Sequence, residues 1–223
     1  MDLLLICRAE SEAVAHGLLE GRRGWALTAA GREAAERLGR RLAREERVVA
    51  LFGSTLAEAW ETATILGLGL GLSPQPEPDL QEVDCGDLCG RPLAQVQARV
   101  AGLLYPGGDI FTPFPNGESY AEMHVRVVQT INRLIAAAGE DTIAVVTHPG
   151  PIQAYLLAFL RYAIEQRAEL RLRCAPTSLH HLRRDPQGRK EIVCLNDTAH
   201  LAGPASPPTI ERLSRPPTVD CRL

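Results

Sequence analysis

The chain has no basic excess: 24 lysines and arginines face 27 aspartates and glutamates, for a formal net charge of −3 and a pI near 6.1. Binding to a polyphosphate backbone runs on surplus positive charge, so nucleic acid is excluded as a general partner. Lysine is almost missing; Lys190 is the only one. Arginine suits forked recognition of phosphate or carboxylate, but a bias this broad is read as genome composition. No run of about 18 apolar residues occurs, which excludes a membrane span. The apolar N-terminus is short, carries Asp2 rather than a basic stretch, and lacks a signal-peptide cleavage pattern. Cysteine is sparse, six in 223 residues. Cys7, Cys174 and Cys194 sit in apolar or strand-like runs, which favours reduced, buried thiols and a cytoplasmic location. Cys85 and Cys89 have no second pair and no nearby histidine, so neither a zinc site nor any other cofactor is expected. What is present is an ordinary globular composition, 45% hydrophobic and 23% charged, at a length that suits one α/β domain or two small ones.

Strands and helices alternate along the chain. Leu3 to Cys7 is a continuous apolar run, as a buried parallel strand requires. Thr28 to Leu42 reads as an amphipathic helix, with Thr28 as N-cap and Leu27, Ala34, Ala35, Leu38 and Leu42 on its apolar side. Val48 to Phe52 is a second strand, followed by Gly53-Ser54 and a helix from about Leu56 to Leu66. A third strand, Thr142 to Thr147, ends at His148, and Pro149-Gly150-Pro151 opens a helix through Leu160. An insert at about 73–117, rich in proline and glycine, holds about two helices' worth of chain before a long helix, Glu118 to Ala138. Ser178 to Arg183 and Glu191 to Leu195 form a late hairpin across Asp185-Pro186-Gln187-Gly188. The expected architecture is a three-layer α/β/α domain over residues 1–202 with a mostly parallel open sheet. A proline-rich tail, 203–223, is expected to pack through Ile210, Leu213 and Val219 on the domain or on a second copy.

Open α/β sheets bind ligands outside the carboxyl ends of their strands. Three such ends carry polar residues here: Arg8 with Glu10 and Ser11, Ser54 with Thr55, and Thr147 with His148. Turns are polar anyway, so one such end says little; three that converge say more.

At these positions the sequence resembles the histidine phosphatase superfamily, which includes cofactor-dependent phosphoglycerate mutase. Cys7-Arg8-Ala9-Glu10-Ser11 is similar to its Arg-His-Gly-Glu signature, and Leu27-Thr28-Ala29-Ala30-Gly31 to its Leu-Thr-x-x-Gly segment. Ser54 to Ala63 resembles Ser-x-Leu-x-Arg-Ala-x-x-Thr-Ala, and Leu80 to Gly86 matches Leu-x-Glu-x-x-x-Gly. Gly117-Glu118-Ser119, Val145-Val146-Thr147-His148 and Asn196 to Leu201 complete an ordered set over about nine-tenths of the chain. The resemblance implies phosphoryl transfer without a metal. In such a site Arg8 would bind phosphate, Glu82 would protonate the leaving oxygen, and His148 would stabilise the transferring group. Ala9, Ser11 and Pro149 would line the substrate. His16, His124, His180 and His181 match no catalytic motif, and His200 falls in the closing motif as a structural residue.

Three departures stand out. The nucleophilic histidine is missing: Ala9 follows Arg8 directly. Either Ala9 replaces it, or a histidine is deleted between Arg8 and Ala9; the deletion keeps Glu10 and Ser11 in register and is preferred. Glu58 stands where the family carries a second phosphate-binding arginine. A unit charge about 4 Å from phosphate is worth on the order of 4 kcal/mol at an effective dielectric of 20, so phosphate binding suffers unless Arg91, Arg126 or another cation compensates. Pro149 stands where glycine is usual, which removes one N–H donor. The expectation is a phosphatase acting on a small phosphomonoester through a phosphohistidine, impaired by these changes. The alternatives are a mutase, for which the insert is modest, or a catalytically silent relative that binds a phosphorylated ligand. A homodimer is left open. Phe111, Phe114, Tyr105 and Tyr120 either shape a leaving-group pocket or fill a small core under the insert.

Overall fold

In the computed structural model, which describes residues 1–96, 109–170 and 172–202, six strands form one sheet in the order β3-β2-β4-β1-β5-β6. The strands are β1 (Asp2–Cys7), β2 (Val48–Gly53), β3 (Gln75–Pro76), β4 (Thr142–Thr147), β5 (Leu179–Arg184) and β6 (Lys190–Asp197). β1, β2, β3 and β4 pair in parallel; β5 runs antiparallel to β1, and β6 antiparallel to β5. The helices are α1 (Glu12–Ala15), α2 (Ala29–Glu45), α3 (Ala57–Leu70), α4 (Tyr120–Ala138) and α5 (Pro149–Leu160).

Alternation along β1 decides the layers. Leu3, Leu5 and Cys7 join Met123, Val127 and Ile131 of α4 and Ile152 and Leu156 of α5 in one core. Leu4 and Ile6 join Leu38 and Leu42 of α2 and Ala59, Ala63 and Leu66 of α3 in the other. A strand buried on both faces must read as a continuous apolar run, and β1 and β4 do. The three-layer arrangement with a mostly parallel sheet is therefore as the pattern predicts. No helix among the described residues is long and apolar enough to cross a membrane.

Helix starts follow their caps. The Thr28 hydroxyl accepts from Gly31 N at 2.9 Å, and Ser119 forms a capping box with Glu122 at the head of α4. The described part of the insert holds the two-residue strand β3, two short 3₁₀ turns, Pro78–Leu80 and Gly86–Leu88, and a helical turn at 93–96. Its residues 97–108 lie outside the described residues. Pro74, Pro76 and Pro78 keep the first stretch out of regular helix, because each removes a backbone donor and disfavours helix in the residue before it. The short α1 was not foreseen. The tail residues Ile210, Leu213 and Val219, and Tyr105 of the insert, lie outside the described residues.

Candidate active site

The sheet order places the carboxyl ends of β1, β2 and β4 side by side. Arg8 N donates to Thr147 O at 2.7 Å, and Ser54 N to Val146 O at 2.9 Å, so all three ends are tied by backbone bonds. Arg8 and His148 are both buried there. His148 caps α5, and its Nε2 lies 2.8 Å from Ser54 Oγ. Burial, helped by the charges of Arg8, Arg126 and Arg22, holds the His148 pKa well below the usual imidazole range, so the ring is neutral near pH 7.

Glu82 enters the same place from the insert. Its carboxylate accepts from Val83 N at 2.8 Å and from Gly150 N, in the first turn of α5, at 3.1 Å. Burial nevertheless pushes its pKa upward. The approach is so close that a Cβ on Gly150 would fall 2.1 Å from Glu82 Oε1, so any larger residue there would displace the carboxylate. From the other side Arg22 Nε and Arg126 Nη2 donate to Glu82 O at 3.1 and 3.0 Å. Arg126 also takes the carbonyls of Asp79 and Gln81, and both arginines pair with Glu118. Glu118 in turn accepts from Asp84 N at 2.9 Å. The Glu82 segment is thus clamped at the carbonyls of Asp79, Gln81 and Glu82 and at the amide of Asp84, and the carboxyl is aimed by backbone N–H groups.

The Arg8 side is different. The Arg8 guanidinium is ion-paired to Glu20, whose other carboxylate oxygen accepts from Ser11 Oγ at 2.5 Å. The Ser11 hydroxyl also accepts from Val14 N, capping α1. Glu58 is fully buried; its Oε2 accepts from Trp25 N at 2.8 Å and its Oε1 lies 3.6 Å from His148 Nδ1. Burial pushes the Glu58 pKa upward too. Ala9 is buried in a small cluster with Leu27 and Ala35, its N–H donates to Thr62 Oγ1 at 3.0 Å, and its carbonyl accepts from Arg8 Nη1. Pro149 occupies the first turn of α5, and the donor that follows it, Gly150 N, goes to Glu82.

So Arg8, Ser11, Glu82, His148 and Pro149 are brought to one end of the sheet, while Ala9 turns its methyl into the core and has both backbone groups engaged. Neither cation named as a compensator for Glu58 faces it freely: Arg91 donates to Asp87 O, and Arg126 belongs to the Glu82 clamp. Glu20, Arg22 and Trp25 carry no signal along the chain, because their roles depend on how the 17–27 loop folds back over two strand ends. Of the remaining histidines, His181 pairs with Asp2, His180 with Ser178 and His200 with Thr177; His124 lies beside the Tyr120 ring, and His16 is exposed. Phe114 and Tyr120 are buried in the main core and Phe111 is exposed, which favours the core-filling reading of those rings.

A family model for the histidine phosphatase superfamily (branch 1) matches residues 3–198. Phosphoglycerate mutase-like protein 4 of Arabidopsis thaliana is 27% identical over 159 residues, covering 69% of this chain and 68% of that protein. Among solved structures, a mycobacterial glucosyl-3-phosphoglycerate phosphatase superposes with a TM-score of 0.77 at 22% identity, over 87% of this chain and 98% of that one. A histidine-to-alanine mutant of phosphoserine phosphatase from Entamoeba histolytica, in complex with phosphoserine, gives 0.76 at 21% identity, over 90% and 99%. The α-ribazole-5′-phosphate phosphatase described as putative from Escherichia coli gives 0.74 at 25% identity, over 89% and 98%.

Proposed function

Because the chain belongs to the histidine phosphatase superfamily, we propose that it takes small phosphomonoesters at Arg8, Glu82 and His148 and hydrolyses them only at a residual rate. The observation that carries this reading is the placement of Glu82: a half-buried carboxyl, its pKa pushed upward by desolvation, held by two backbone N–H groups at the mouth of a strand-end site. A carboxyl whose pKa is pushed above its ordinary value is better suited to give a proton to a leaving oxygen. Arg8 retains one unused donor, since its Nε is buried with no hydrogen-bond partner among the described residues. No histidine follows Arg8 to carry a phosphoryl group, so turnover relies on direct attack by water, with charge stabilisation and proton donation as the remaining help.

A second reading, a silent phospholigand-binding relative, is favoured by Glu20, which already occupies both Arg8 and Ser11. The Entamoeba mutant that holds phosphoserine is a precedent for ligand binding with a histidine removed. Turnover of an aryl phosphate, measured for this chain and for a variant with histidine inserted between Arg8 and Ala9, separates the two. Slow hydrolysis that is abolished by Glu82→Gln and raised by the insertion supports the first; no hydrolysis in either protein, with phosphate still bound, supports the second. Full activity in the unaltered chain overturns both.

A further inference from the structure

Cys85 and Cys89 bracket a tight turn in which Leu88 N donates to Cys85 O at 3.0 Å and Cys89 N to Gly86 O at 3.1 Å. The turn brings the two side chains to the same face of the Gly21 backbone, with the Cys85 thiol directed at Val83 O at 3.6 Å. Both pack on Gly21: a Cβ there would fall 2.3 Å from Cys89 Sγ and 3.2 Å from Cys85 Cβ, so the bare glycine backbone is what leaves room for the pair. Cys85 is buried and Cys89 partly exposed. Among the described residues no third histidine, cysteine or carboxylate completes a metal site around them. Neither thiol takes part in the site described above, yet Gly21 separates Glu20, which holds Arg8, from Arg22, which holds Glu82 O.

We propose that Cys85 and Cys89 are a redox-active dithiol, converted by a low-molecular-weight disulfide into an intramolecular disulfide. The exposed member is suited to attack. Its thiolate is stabilised by the Cys85 thiol and by backbone N–H groups, which brings its pKa down to about 6 against the opposing effect of burial. The Cys89 thiolate attacks one sulfur of the reagent; that S–S bond breaks and one thiolate leaves. Cys85 then gives its proton to the departing thiolate, attacks the Cys89 sulfur and displaces the second reagent thiol. Two electrons and two protons pass from the cysteine pair to the reagent, which ends as two thiols. Cys7 does not compete: it is buried in the sheet, and burial pushes its thiol up to about 12. Burial raises Cys174 and Cys194 as well.

The test uses the reduced full chain and oxidised glutathione at pH 7, with acid quench, alkylation and peptide mapping, since Cys221 also carries a thiol. The expected product is the single peptide holding Cys85 and Cys89, two hydrogens lighter and closed to alkylation. Cys85→Ser should stall with glutathione on residue 89, and Cys89→Ser should leave Cys85 as unreactive as Cys7. Iodoacetamide labelling of Cys89 should reach half its plateau rate near pH 6. A Cys89 that labels no faster than Cys7, or a stable glutathione adduct on Cys89 beside a free Cys85, overturns the proposal.

Discussion

The two halves of the site have fared differently. On one side, Glu82 is gripped through its own carboxylate by Val83 N and Gly150 N and through its carbonyl by Arg22 and Arg126, with Glu118 tying the arginines together. On the other, Arg8 faces Glu20, Ser11 is drawn to the same carboxylate, and Glu58 sits beside a neutral His148. The first half aims a carboxyl. The second, where an incoming phosphate needs positive charge, has its positive charge already matched from within. A buried ion pair of this kind forms only with extra hydrogen bonds to offset desolvation, and Ser11 and the Ala9 carbonyl supply them. The comparison teaches that a carboxyl aimed by backbone N–H groups needs no opposing charge, whereas a buried cation is matched by a single carboxylate from a neighbouring loop.

The largest expected effect comes from repairing the phosphate half. Inserting histidine between Arg8 and Ala9 should raise aryl-phosphate turnover by several orders of magnitude, as loss of a nucleophile from a cooperating site costs about 10⁴–10⁶. Replacing Ala9 by histidine should not do this, because its side chain is directed at Leu27 and Ala35; stopped-flow turnover of both variants decides. Within the inserted protein, Glu82→Gln should then cut turnover by roughly 10²–10⁴, the usual share of a general acid, and more for alkyl than for aryl leaving groups. Equal loss with both would mean that Glu82 donates no proton.

Next comes Glu20→Gln, which leaves Arg8 without its carboxylate. Hydrogen bonds to charged groups are worth about 1.5–3 kcal/mol, so inorganic phosphate should bind about tenfold to a hundredfold tighter by calorimetry. The same variant should melt lower without phosphate, because a buried charge has lost its partner, and recover when phosphate is added. A melting temperature indifferent to phosphate would break the comparison. On the other side, Gly150→Ala should cost about 1–3 kcal/mol by overpacking against Glu82, read from chemical denaturation.

The smallest effect is in the pH dependence of stability. His148 is held well below 6.5 and His180 is brought down to about 4, both chiefly by burial. Unfolded histidines therefore bind protons that the folded ones refuse, so stability is full above pH 6.5 and falls on acidification toward the folded values. Glu58 and Glu82 act in the opposite sense: their folded pKa values lie above 4.5, so their contribution is present at low pH and lost as pH rises through those values. In thermal melts from pH 7 to pH 5, Glu58→Gln should steepen the fall and His148→Gln should flatten it.

Much of the framework was legible because it rests on local rules. The continuous apolar runs of β1 and β4, the Thr28 cap and the Pro149 helix start each follow from a few adjacent residues. Arg8 and His148 were legible as strand-end residues, since parallel strands deliver their carboxyl ends to one edge. Glu20, Arg22 and Trp25 were not. Nothing in Glu20-Gly21-Arg22 distinguishes it from a solvated charge cluster until the loop folds across Arg8 on one side and Glu82 on the other.

By itself the sequence determined the layer order, the strand ends and the absence of a histidine after Arg8, because periodicity, capping and residue identity are properties of neighbours along the chain. Only the tertiary structure decided how charge is shared. Which carboxylate Arg8 meets, whether His148 keeps a proton and whether Glu82 holds one depend on burial and on partners from distant loops, and desolvation becomes effective only once the packing has excluded water.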